Sequence, residues 1–435
     1  MSHFEQTVNA LIERINSASS DACRVCQPFH PETEFSFIDW LEAQPHYPKF
    51  YWQSRDTREE VVALGQEHVF AQPAPAYAVL GEGQRVWGGR SFDCASEKNR
   101  RCMGSFFFLP QVELTRYDDA LTLSVNLNSG KDKAIQALRR LVEEYSPIQP
   151  LPANVVGISH TPNYTDWCET VDDALQHIQQ GEFKKVVLAR RTDVTLDCAI
   201  AAAQLLKASA NANHHSFHFL MALDSKHAFI GSTPERLYSR YGTQLYTEAL
   251  AGTIGRGVDA QEDMALANWL SQDKKNLQEN QYVVDDILQS LTPHAEQLEV
   301  QQETRLIRLR KVQHLKREIQ AELKAGVNGV QLLAALQPTA AVAGLPREDA
   351  LAYIAENEAF ARGWYAGSVG FISHERAEFC VAIRSALVLH DQIQLFAGAG
   401  IVPGSDSEFE WQELDRKMST LLSLLTEQSP LGVAS

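Results

Sequence analysis

The chain has 435 residues, of which 44% are apolar and 22% charged. That balance belongs to a globular protein with a sizeable core, and length alone suggests two or three domains of about 150 residues. Its formal charge of −16 excludes DNA, RNA or an anionic membrane as the main partner, because each would be repelled.

The opening run MSHFEQTVNALIERI puts Phe4, Val8, Leu11, Ile12 and Ile15 on one helical stripe. It lacks the apolar region of a signal peptide, and no membrane span follows, so the chain reads as cytoplasmic. Seven cysteines, at 23, 26, 94, 102, 168, 198 and 380, are too scattered for a disulfide framework and suit a reducing compartment. Cys23 and Cys26 have CxxC spacing, but no second pair or nearby histidine completes a zinc site.

Up to about residue 150, short β-rich runs alternate with turns: FYWQSRD (50–56), VVALG (61–65), RVWGGRSF (85–92), SFFFLPQVEL (105–114) and LTLSVNL (121–127). Aromatics concentrate here, and no catalytic constellation shows. The stretch SPIQPLP (146–152) separates this β-rich part, 1–150, from the remainder, 151–435.

The remainder begins with a helix over 165–181 and a strongly apolar strand, FKKVVLARRTDVTL (183–196). A second helix over 198–210 leads to strands around HFLMALD, HAFIGSTPERLYSR and QLYTEALAGT. A helical tract from about 262 to 291 is followed by LRKVQHLKREIQAEL (309–323), and the pattern returns to β only beyond about residue 360. There lie WYAGSVGFIS, AEFCVAIRSALVL and IQLFAGAGIV, and a last helix starts near 406. Strand groups separated by helix groups predict an α+β fold rather than regular βαβ alternation.

Charge set against the local pattern marks the candidate site. Lys185 shares a strand face with Val187 and Ala189. Drawn into apolar surroundings it loses solvation and becomes available as a base, whereas at a strand end it can instead snorkel to water. Glu235, in GSTPERL, sits at a strand end where it either faces a cleft or pairs with Arg236 or Arg240. Glu279 shares a helical face with Asn276 and Val283 and needs a partner there.

On the last helix, Glu410, Glu413 and Lys417 fall within an arc of roughly 60°, while Glu408 and Asp415 turn away. A Glu413–Lys417 surface pair would account for part of this pattern. Just upstream, Gly398-Ala399-Gly400 allows backbone amides to approach a ligand closely. Arg384, inside an apolar strand, calls for an anion. Tyr365, on the preceding strand of a hairpin, would add a hydroxyl donor.

Together KVVLAR (185–190), TPERL (233–237), TEALAGT (247–253), ENQYVVDDI (279–287), KVQHL (311–315), LQPTAAVAGLPR (336–347), WYAGSVGF (364–371), AIRSALV (382–388), GAGIV (398–402) and EWQELDRK (410–417) resemble the chorismate-utilising enzymes. FYWQSR in the N-terminal part, and Gln337 where many relatives carry histidine, extend the resemblance toward isochorismate synthases of menaquinone biosynthesis.

The resemblance implies one large α+β unit of stacked antiparallel sheets flanked by helices, in place of two or three domains. It implies a Mg²⁺-dependent displacement on chorismate, in which water adds at C2 and the C4 hydroxyl leaves. Lys185 would be the base and Glu235 the acid, a pairing that needs Lys185 uncharged and Glu235 protonated near neutral pH. Glu279 and Glu413 would ligate the magnesium, with Glu410 and Gly252 in support. Thr253, Tyr365, Arg384, Lys417 and the amides of Gly398, Ala399 and Gly400 would hold the substrate carboxylates.

Water is the implied nucleophile. Relatives that form aminodeoxychorismate carry a lysine where this chain has Ala251, and anthranilate-type relatives lack the lysine seen here as Lys185. No glutaminase motif occurs, so no glutaminase partner is expected, and a monomer or weak homodimer is. A salicylate synthase, which adds pyruvate elimination, and a non-catalytic chorismate-binding subunit remain as alternatives.

Overall fold

Ser2 starts the first helix: its hydroxyl accepts from Glu5 N–H while the Glu5 carboxylate accepts from Ser2 N–H, satisfying two amides that the helix leaves unpaired. In the computed structural model, which describes residues 2–93 and 104–426, this is α1 (His3–Ser17), and it buries Phe4, Leu11 and Ile15. There follow β1 (Arg24–Phe29), α2 (Phe37–Ala43), β2 (Lys49–Gln53), β3 (Glu59–Phe70), α3 (Pro73–Ala78), β4 (Val86–Arg90), β5 (Phe106–Tyr117), β6 (Ala120–Asn126) and α4 (Lys131–Arg139).

Beyond the Pro-rich stretch come β7 (Val155–Thr161), α5 (Tyr164–Gln180), β8 (Lys185–Leu196), α6 (Ala202–Ala212), β9 (Phe217–Asp224), β10 (His227–Thr233), β11 (Arg236–Tyr241) and β12 (Gln244–Gly255). Next are α7 (Ala260–Gln272), α8 (Lys274–Leu291), β13 (Ala295–Val300), β14 (Arg305–Arg308), β15 (Val312–Leu323), α9 (Gly329–Leu336) and β16 (Gly344–Leu345). The described chain closes with α10 (Arg347–Asn357), β17 (Ser368–Ile372), β18 (Arg376–Val381), β19 (Ser385–Leu389), β20 (Gln392–Ile401) and α11 (Ser407–Thr426).

Several elements differ from the expectations. The 1–150 part also holds α2, capped by Ser36, and α4, which buries Ala134, Ala137 and Leu138. The tract at 262–291 is two helices, because Asp273 ends α7 and its side chain accepts from Asn276 N–H to start α8. The stretch 309–323, assigned no strand from its sequence, forms β15. It pairs with β12 on one edge and with β13 and β14 on the other. Cys94 and Cys102 lie outside the described residues; Cys23, Cys26, Cys168, Cys198 and Cys380 are free thiols.

Every strand pairing is antiparallel. One ladder runs from β15 through β12, β11, β18, β17, β4 and β5 to β3. It continues through β2, β9, β10, β19 and β20 to β8. Two of these ladders, β4 with β17 and β2 with β9, join strands from either side of residues 146–152. Trp40, Trp52, Trp87, Trp167 and Trp364 are wholly buried. The ladder doubles back, so that its β8–β20 end and its β12–β15 end line one cavity, with α8 packed on β12 and α11 on β20. Among the described residues no helix is long and apolar enough to cross a membrane.

The outer edge of β8 shows how firmly this end is held. β16 covers residues 185–186 and β7 covers 191–196. Between them two side chains stand in for a strand. Glu358 accepts from Ala189 N–H at 2.9 Å, and Arg362 donates to the carbonyls of Val187 and Val342, both at 2.7 Å. Arg362 and Glu358 are buried and paired to each other. Removing one partner of such a pair costs about 3–5 kcal/mol. Arg362→Leu is expected to lower unfolding free energy by about that amount in urea titration; a loss below about 1 kcal/mol would show that the clamp is dispensable.

Candidate functional site

The cavity between the two ends of the ladder spans about 680 Å³, the solvent at its open mouth included. Glu235, in the two-residue break between β10 and β11, faces it, as do Gly252 and Thr253 of β12, Glu279 of α8 and Lys417 of α11. Tyr365 lines it from a turn before β17 rather than from a strand. Arg384 lines it from the break between β18 and β19, not from inside a strand. Its φ is +49°, a left-handed conformation that costs energy for a side chain of this size. That turn takes the guanidinium out of the sheet plane and into the cavity.

Lys185 is wholly buried at the start of β8. Its amine lies 3.0 Å from Glu279 Oε1 without an aligned hydrogen bond, so the contact is one of charge. Gly400 makes room for both, since a Cβ there would collide with the Glu279 carboxylate and come within 2.9 Å of Lys185 Cε.

Backbone hydrogen bonding sorts the glycine-rich stretch. Val187 N–H donates to Ala343 O, and Ala189 N–H donates to Glu358. Both residues therefore turn their polar backbone groups away from β20. Because hydrogen-bonded pairs alternate along an antiparallel ladder, Leu188 and its register partner Ala399 exchange the bonds. The amide of Ala399 is consumed there. Gly398 and Gly400, opposite Ala189 and Val187, face the cavity instead. Pairing of β20 with β19 stops at Leu395, which leaves this edge open. Gly398 O accepts from Lys417 Nζ at 2.8 Å.

Three lysines meet three carboxylates around one wall. Lys185 faces Glu279, Lys417 meets Glu413 at 2.6 Å, and Lys275 meets Glu410 at 2.7 Å. Burial pushes the Glu279 pKa up, but Lys185 and Lys417 outweigh it and the net shift is down. Glu410 goes the other way, raised by burial and by the neighbouring Glu413. Glu413 pairs with Lys417 along the helix and lies outside the cavity lining, as does Glu410. Oxygen donors of this kind suit Mg²⁺, which takes one or two protein carboxylates and keeps waters. Among the described residues no group of three or more His, Cys, Asp or Glu is arranged to hold a metal; a magnesium site does not require one.

Two groups stand apart from this pairing. Burial, then the charge of Glu248, raises the Glu235 pKa to about 8, so the carboxyl keeps its proton at neutral pH. Burial lowers the Arg384 pKa to about 10. Arg384 remains a cation, and no described carboxylate forms an ion pair with it. Its NH2 donates to His314 Nε2 at 2.6 Å, and His314 Nδ1 lies 2.9 Å from Thr253 Oγ1. Burial, then Arg384 and Lys417, hold the imidazole neutral by pushing its pKa well down. Sequence reasoning missed His314. Its signal was present in KVQHL, but that stretch carried no strand assignment to place it. Gln337 lies outside the cavity lining and ties the carbonyls of Arg90 and Ser91 to Ser368.

A family model described as chorismate binding enzyme matches residues 9–426. The chain is 41% identical over 413 residues to isochorismate synthase MenF of Escherichia coli (strain K12), covering 92% of each chain. It is 38% identical over 438 residues to isochorismate synthase MenF of Pasteurella multocida (strain Pm70), covering 98% of this chain and 99% of that one. The solved structure of MenF, the menaquinone-specific isochorismate synthase from E. coli, matches with a TM-score of 0.89 at 37% identity, over 98% of this chain and 100% of that chain. Anthranilate synthase component I from Streptococcus pneumoniae shares the fold, with a TM-score of 0.64 at 19% identity.

The protonated state of Glu235 is directly measurable. Infrared titration is expected to show a carboxylic C=O band below pH 8 that fades as pH rises through about 8 and is missing in Glu235→Gln. A band that fades near pH 4–5, the ordinary carboxylate range, would mean that burial leaves this group ionised.

Proposed function

Because the chain belongs to the chorismate-binding enzymes, we propose that it is an isochorismate synthase, adding water at C2 of chorismate as the C4 hydroxyl departs. One observation carries this reading: a buried carboxyl that holds its proton to about pH 8 shares a cavity with an arginine that has no carboxylate partner among the described residues. The first is what a poor leaving group needs, and the second is what a substrate carboxylate needs.

The chemistry conserves atoms. Lys185 takes a proton from the attacking water as its oxygen bonds to C2. The ring double bonds shift, the C4–O bond breaks, and Glu235 gives its proton to the departing oxygen, which leaves as water. Lys185 starts in contact with Glu279. Accepting a proton needs the amine's lone pair, so Lys185 acts as base only once any extra proton it holds there has passed to solvent.

Arg384, steered by neutral His314, receives one carboxylate, with Tyr365, Thr253, Lys417 and the open edge of β20 around it. Glu279 and Glu413, with Glu410 beside them, would hold Mg²⁺, which when bound neutralises a substrate carboxylate and draws off developing charge. Likeness to the menaquinone-specific isochorismate synthase of E. coli supports a role in menaquinone supply. We place the enzyme in the cytoplasm and assign it no glutaminase subunit, since Ala251 stands where a lysine would serve the amine-forming reaction.

Purified protein with Mg²⁺ and chorismate is expected to yield isochorismate and no pyruvate on a chromatogram. Pyruvate with salicylate would make it a salicylate synthase, and turnover only with glutamine and a second protein would make it a subunit. Lys185→Ala should lower kcat by about 10²–10⁴-fold while chorismate still binds by calorimetry; a rate near wild type would remove Lys185 from the base role. Glu413→Gln should raise the Mg²⁺ concentration for half-maximal rate at least about tenfold, and an unchanged titration would count against that ligand.

A further inference from the structure

Arg55 lies in the turn between β2 and β3, in the N-terminal FYWQSR motif, far in sequence from the cavity residues. Its NH1 donates to Pro234 O at 2.6 Å, and its fork grips both carboxylate oxygens of the buried Glu248 on β12. Glu248 Oε1 in turn accepts from Arg236 N–H at 3.1 Å. Pro234 O belongs to the peptide group before Glu235, and Arg236 N–H to the peptide group after it. One ion pair thus holds both peptide groups flanking Glu235, while Glu235 O accepts from Val381 N–H at 3.0 Å.

The geometry points to Arg55 and Glu248 as a positioning pair for Glu235, by which the N-terminal part of the chain aims the acid and fixes the charge beside it. The inference deepens the reading of Glu235 as the acid and rests on it. Glu235 also feels Lys185, Lys417 and Arg384, and it acts in turn on Tyr365 and Cys380. Glu248 meets Lys316 at 3.6 Å, and Lys316 pairs with Glu318; Arg236 pairs with Glu378. The guanidinium of Arg55 is seated over the Phe217 ring at 5.6 Å.

A carboxylate next to a carboxyl raises its proton affinity. Glu248→Gln deletes that charge and leaves Arg55 uncompensated, and both changes lower the affinity of Glu235 for its proton. Glu235 works protonated, so rate falls as pH rises through its pKa. The alkaline limb of the kcat/KM–pH profile in Glu248→Gln is therefore expected to move down by about one unit, a tenfold change in proton affinity. Arg55→Lys keeps the charge but offers one ammonium where the fork served two acceptors. Its kcat is expected to fall at least about tenfold with KM within about twofold, the mark of a misaimed acid, and its alkaline limb should stay in place.

A merely structural ion pair would lower the unfolding midpoint and leave both kinetic readouts unmoved. Folded Glu248→Gln with an unmoved limb, or Arg55→Lys with wild-type kcat, overturns the proposal; if Glu248→Gln does not fold, Arg55→Lys decides it. Glu235→Gln separates the levels. Full activity in that variant sinks the acid reading and this proposal with it, whereas an inactive Glu235→Gln beside wild-type behaviour in the other two sinks this proposal alone.

Discussion

A carboxyl and a guanidinium buried in one cavity, without carboxylate or lysine contacts of their own among the described residues, impose the terms that the surrounding structure meets. Leaving a lone charge out of water costs several kcal/mol. Glu235 escapes the cost by keeping its proton, with a pKa raised to about 8. Arg384 has no such escape, since its pKa near 10 leaves it charged at any physiological pH. It is accommodated by a neutral imidazole that can accept from it, and by a strained backbone that no packing preference would select. The nearby lysines and glutamates answer each other, so the pocket's unanswered demand is for an anion.

Much of this was legible in the residues themselves. Lys185 inside an apolar run, Arg384 inside another, and the one-faced Glu410, Glu413 and Lys417 array each broke the local pattern, and the fold brings Arg384 and Lys417 to the cavity and the others to the ion pairs around it. What stayed hidden was set by partners distant in sequence. VQHLKREIQAEL is rich in residues that favour helix, yet three neighbouring strands make it β15 and carry His314 into the cavity. Glu279 offered a face that needed a partner, but only the fold shows that partner to be Lys185. Ala399 looked equivalent to its glycine neighbours, and the alternation of the ladder, invisible in the sequence, turns its amide away.

The N-terminal part offered no catalytic pattern, and none of its described residues lines the cavity. Its contribution is indirect. β4 and β2 are internal strands of the continuous ladder, and Arg55 reaches from the turn after β2 to the peptide groups around Glu235. A fold whose reacting groups come from its second half still depends on its first half to aim one of them.

The location of α11 has a consequence for biosynthesis. On the ribosome, Lys185, Glu235 and Glu279 emerge well before residues 407–426, so during translation this wall lacks Lys417 and the carboxylates of the last helix. The β20 strand, whose Gly400 packs against both Lys185 and Glu279, also arrives late, with Gly398 and Gly400 only a few residues ahead of α11. A nascent chain therefore carries exposed strand edges and half of a charged pocket, a state prone to association with other chains. Pairing of β20 covers those edges and docking of α11 completes the electrostatics, which ties the first moment of catalytic competence to the emergence of residues 407–426.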